Sequence, residues 1–127
     1  MYALFKPELL ELARTVYQQH VLFERGDIAA EELNGIQLER LKHTLRYVKA
    51  GSPFYRDKLL SLSSSAIDSL DWDVFRKLPF TTKNDLREAG HDIAAAPLQK
   101  SWVYYETTGT TGAATPCPRN EQDSIFN

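Results

Sequence analysis

The chain has 127 residues, a formal net charge of −2 and a single cysteine, Cys117. That is the length of one domain, and a charge so near zero excludes the basic surface that nucleic acid or an anionic membrane would require. One cysteine excludes an internal disulfide framework, and no apolar run is long enough to span a bilayer, so a cytoplasmic chain with a free thiol and no signal peptide is expected.

Taken in order, the first element is a helix from about Pro7 to Arg25. Pro7 suits the first helical position, and Leu9, Ala13, Val16, Tyr17 and His20 recur at helical spacing. Gly26 ends it. His20 falls on or beside the apolar stripe and reads as a packed histidine. A second helix is expected from about Ile28 to Ala50, capped by Asp27, with Glu31 and Glu32 favouring its positive end. Leu38, Leu41, Leu45 and Val48 make one apolar seam, Gly51 stops the helix, and the two helices are expected to pack antiparallel as a hairpin over residues 1–51. Arg40, Lys42, Arg46 and Lys49 lie among Glu31, Glu32 and Glu39, so they form a solvated face.

Residues 52–101 read as short helices and connections. Ser52 caps a helix with Pro53 first; Ser65-Ala66-Ile67-Asp68 resembles a capping box; Asp71 to Leu78 suggests a turn packed through Trp72 and Phe75. Thr82-Lys83-Asn84-Asp85 starts the next helix, with Asp85 reaching back to Thr82, and Gly90 closes it. His20, His43 and His91 share no spacing, so no metal cluster is expected. Cys117 has no histidine placed near it in sequence, and a nucleophile there is disfavoured.

Residues 102–118 carry the most informative stretch. Trp102 to Tyr105 has strand propensity and runs into Glu106-Thr107-Thr108-Gly109-Thr110-Thr111-Gly112-Ala113-Ala114-Thr115-Pro116. Glycines let backbone N–H groups close on an anion, and threonine hydroxyls supply donors that rotate to meet phosphate oxygens. On composition the block reads either as a phosphate cradle or as a polar surface turn. It is not a Walker loop, because Gly109 and Gly112 are too close and Ala113 stands where a lysine would follow. Nor is it a G-x-G-x-x-G dinucleotide fingerprint.

The block resembles the [ST]-[ST]-G-[ST]-[ST]-G-x-[PA]-T signature of adenylate-forming, AMP-producing acid ligases. Ser52-Pro53-Phe54-Tyr55-Arg56-Asp57-Lys58-Leu59 and Leu78-Pro79-Phe80-Thr81-Thr82-Lys83-Asn84-Asp85-Leu86-Arg87 resemble two segments of the phenylacetate–CoA ligases, in the same order. The similarity runs from about Leu38 to Thr115. It implies an α/β fold whose N-terminal, mostly helical part has one strand leading into the phosphate loop, left incomplete by this chain. It also implies an acid ligase that uses ATP and magnesium, with coenzyme A or a carrier protein's phosphopantetheine as acceptor. The substrate would be a small carboxylic acid, in this subgroup an aromatic one.

By this resemblance Thr107, Thr108, Gly109, Thr110, Thr111 and Gly112 would hold the β- and γ-phosphates. No catalytic residue and no metal ligand is expected within this chain. Ala113-Ala114 replaces the lysine and proline often found after the second glycine, and Arg119 is expected to compensate if the chain folds back. Beyond Pro118 the sequence begins like a helix and stops, which suggests an N-terminal fragment that is inactive by itself. Two other possibilities stay open: a non-catalytic helical interaction module, and one half of a split ligase completed by a separately encoded remainder.

Overall fold

The computed structural model describes residues 6–100, 103–107 and 115–123. Helix α1 spans Pro7–Arg25 and ends at Gly26, whose φ of 71° is open to glycine at little cost. The Gly26 N–H donates to the Phe23 carbonyl and the Asp27 N–H to the Leu22 carbonyl, each at 3.0 Å. This double closure uses Asp27 to finish α1. Helix α2 (Ala30–Gly51) therefore starts without the Asp27 cap expected for it: Ala29 is its N-cap and no side chain caps it.

The next four helices are short and begin on local caps. Ser52 accepts from the Tyr55 N–H to start α3 (Pro53–Lys58), and Asp71 accepts from Val74 to start α5 (Trp72–Phe75). Helix α4 (Ser64–Asp68) is capped by Ser63, earlier than the Ser65 box expected from the sequence. Ser65 instead accepts a backbone bond from Ser69 at the end of that helix. At α6 (Lys83–Ala89) both halves of the capping box are present: Asp85 N–H to Thr82 Oγ1 at 3.1 Å and Thr82 N–H to Asp85 Oδ2 at 2.8 Å. Two 3-10 turns follow, Gly90–Ile93 and Leu98–Lys100.

The core lies between α2 and the short helices. Leu45, Leu59, Leu62, Ile67 and Leu70 are buried together, with Leu41, Val48, Tyr55, Val74 and Leu78 packed around them. The Leu41–Leu45–Val48 seam of α2 thus faces α3 to α5, where a seam facing α1 was expected. Helix α1 meets the first half of α2 instead, across a groove lined by Val16, Phe23, Leu33 and Ile36. The Arg40 guanidinium donates to Gln19 across it. His20, expected to be packed, is exposed and pairs with Glu24 at 3.2 Å on the helix surface.

Strand β1 (Val103–Thr107) pairs antiparallel with β2 (Thr115–Arg119), from Thr107 opposite Thr115 to Val103 opposite Arg119. The expectation of one strand was short by one. Strand β2 carries Pro116 and Pro118, and proline is a poor strand signal because it removes a ladder donor. Prolines two residues apart leave that gap on one edge only, so the other edge can still pair. Beyond β2, Glu121 forms an ion pair with Lys6 at the start of α1, which ties the two ends of the described chain together.

Candidate functional site

Strand β1 ends at Thr107, in register with Thr115 at the start of β2. The hairpin therefore brackets the Thr/Gly block. Of the residues expected to hold phosphate, Thr107 closes β1, while Thr108, Gly109, Thr110, Thr111 and Gly112 lie outside the described residues. Arg119 is in register with Val103, at the end of the hairpin away from Thr115. Four residues of antiparallel strand separate its backbone from Thr115 by roughly 14 Å. Arg119 lines an open cavity of about 320 Å³ with Tyr47, Val48, Ala95, Lys100 and Cys117.

The hairpin is held from the side of β2. Helix α6 and the Gly90–Ile93 turn both pack against β2, and α3 packs against that same turn. Two polar ties run from the ends of α3 to these supports. At its start, the fully buried Ser52 donates from Oγ to the Asp92 carbonyl oxygen at 2.9 Å. At its end, Lys58 Nζ meets Asp85 Oδ2 at 2.7 Å, and the Phe54 ring lies 5.1 Å from the same ammonium. The ammonium, and after it the Thr82 N–H, hold the Asp85 carboxyl below its ordinary range. Beside Ser52, Gly51 lies so close to the connection after the turn that a Cβ there would be 2.0 Å from the Ala95 carbonyl oxygen.

Sequence reading found Ser52 and Asp85 as helix caps and missed both ties. The signal was present only as the two segments Ser52–Leu59 and Leu78–Arg87 occurring together. Cys117 is half-buried in the cavity wall. Among the described residues, no group of three or more His, Cys, Asp or Glu side chains is placed to hold a metal ion. No described helix is long and apolar enough to cross a membrane.

No family model matches the chain. It is 32% identical over 96 residues to the phenylacetate–coenzyme A ligase of Escherichia coli, covering 75% of this chain and 22% of that protein. The phenylacetate–coenzyme A ligase of Aromatoleum evansii is 34% identical over 86 residues, 67% of this chain and 20% of that one. Among solved structures, 2-hydroxyisobutyryl-CoA ligase in complex with 2-HIB-AMP and CoA matches with a TM-score of 0.63 and 29% identity, over 76% of this chain and 22% of that one. The proteins it is similar to, in fold and in sequence, are acid–coenzyme A ligases. Within that class its similarity is to phenylacetate–coenzyme A ligases, and it spans about a fifth of the length of the relatives it matches.

Proposed function

We propose that this chain is the phosphate-gripping part of an ATP-dependent acid–thiol ligase. In that reaction a carboxylate oxygen attacks the α-phosphorus of ATP, the α–β bridging bond breaks, and pyrophosphate leaves an acyl-adenylate. A thiol sulfur then attacks the acyl carbon and AMP departs. Coenzyme A is the acceptor this reading favours over a carrier protein, and an aromatic acid such as phenylacetate is the substrate class. The observation that carries the reading is the identity to phenylacetate–coenzyme A ligases across three quarters of the chain.

In this reading β1 leads into the phosphate loop. Thr107, Thr108, Thr110 and Thr111 donate hydroxyl hydrogen bonds to the β- and γ-phosphates, and Gly109 and Gly112 let backbone N–H groups approach. Donors fixed before the reaction assist because charge builds on the departing pyrophosphate. Magnesium would accompany the nucleotide and supply further charge neutralisation on the phosphates; among the described residues no ligand set for it is present. The sites for adenine, ribose and the acid come from polypeptide outside this chain, which by itself completes no turnover.

The test is acid-dependent ATP–pyrophosphate exchange with phenylacetate, on this chain alone and on a chimera in which it replaces the matching residues of the Escherichia coli relative. The chimera is expected to exchange and the chain alone is not. A chimera that melts cooperatively yet exchanges nothing sinks the ligase reading. Exchange by the isolated chain sinks its inactivity.

A further inference from the structure

We infer that Ser52 and the Lys58–Asp85 pair are positioning residues that brace the hairpin and thereby set how tightly its loop end engages triphosphate. This rests on the function proposed above. The support comes from where the two ties begin and end. Both start on α3, which packs on α2 beside the buried cluster of Leu45, Leu59 and Ile67. One ends at Asp92, within the Gly90–Ile93 turn, and the other at Asp85, in the first turn of α6. Both of those elements pack against β2. The hairpin thus rests on two supports, and each is pinned to the core by its own polar tie.

Neither tie is needed merely to make its local element. Ser52 would cap α3 through the Tyr55 N–H alone, yet its hydroxyl also donates to Asp92, 40 residues onward. Asp85 would complete the α6 capping box without Lys58, yet the same Oδ2 that accepts from Thr82 takes the Lys58 ammonium, 27 residues upstream. Lys58 and Asp85 have only 18% and 31% of their side-chain surface exposed, so water screens this pair less than it screens the surface pairs. Gly51 adds backbone contact at Ala95, on the path into β1. Through the brace, the segments Ser52–Leu59 and Leu78–Arg87 act together, carrying the geometry of the core to the strand pair that flanks the Thr/Gly block. Since phosphate donors must sit within a fraction of an ångström of their targets, a loosened hairpin costs nucleotide affinity before it costs the fold.

Two measurements test this on Lys58→Met, Ser52→Ala and Lys58→Arg. In the 127-residue chain, amide hydrogen exchange over residues 103–119 is expected to speed up in Lys58→Met and Ser52→Ala, with α1 unchanged. Lys58→Arg keeps the charge and is expected to restore protection. In the chimera described above, KM for ATP is expected to rise about tenfold in the two loosening variants, with KM for the acid unmoved and Lys58→Arg near the parent. Hairpin exchange that stays at the parent rate in both variants overturns the brace. So does a fall in kcat with KM for ATP unchanged, which is what loss of folded enzyme alone would give. A parent chimera without exchange activity sinks the ligase reading, and the hydrogen-exchange result then decides the brace by itself.

Discussion

The Ser52 hydroxyl donates to the Asp92 carbonyl oxygen at 2.9 Å and accepts from the Tyr55 N–H at 3.2 Å, in a residue with no exposed surface. One small side chain thus starts a helix and joins two regions of the fold. Ser52→Ala removes an N-cap and a second hydrogen bond, and should lower stability by about 2 kcal/mol. Urea denaturation followed by circular dichroism measures this, and a loss below half that value would mean that water or a neighbour replaces the hydroxyl.

Among the described glycines, Gly51 is the one least able to accept a methyl group. An added Cβ would lie 2.0 Å from the Ala95 carbonyl oxygen and 2.8 Å from its carbonyl carbon, and both belong to backbone. Gly51→Ala should therefore cost about 1–3 kcal/mol through overpacking, despite alanine's better helix propensity. A melting temperature equal to that of the parent would show that α2 and the Ala94–Ala96 connection separate freely.

Ile67 is 2% exposed and belongs to the cluster around which α2 to α5 assemble. Ile67→Ala should cost about 2–5 kcal/mol, and Ile67→Val about 0.5–1.5 kcal/mol. Urea midpoints in that order are the expected result. Equal midpoints for the two variants would place the centre of packing elsewhere.

The Asp85 carboxyl is held below its usual value of 3.8 by Lys58 first and by Thr82 second. A carboxyl depressed in the folded state adds stability that is fully present above its unfolded value and is lost as pH falls through the folded one. The stability difference between the parent and Asp85→Asn should therefore be constant at neutral pH and shrink on acidification below about 3.8. In Lys58→Met the acid-induced loss should be smaller and should be complete at higher pH. Urea midpoints taken along a pH series read both effects, and a difference that grows on acidification would reverse the sign assigned here.

Where helices begin and end is written locally in the sequence. Pro7 at the start of α1, Gly26 at its end, Ser52 before Pro53, and Asp71 and Thr82 as caps all act on residues a few positions away, so the pattern is legible in a short window. The same locality made the Thr107–Gly112 block recognisable as a motif.

What those elements face was settled only by the packing of the whole chain. Two acceptable partners were available to the Leu41–Leu45–Val48 seam, and periodicity gives a seam without naming its partner. The packing chose α3 to α5. Strand β2 was hidden by Pro116 and Pro118, and only the ladder sets Arg119 opposite Val103. The Ser52–Asp92 and Lys58–Asp85 ties span 40 and 27 residues. Contacts of that separation depend on the path of the backbone between them, and no short window of sequence encodes them.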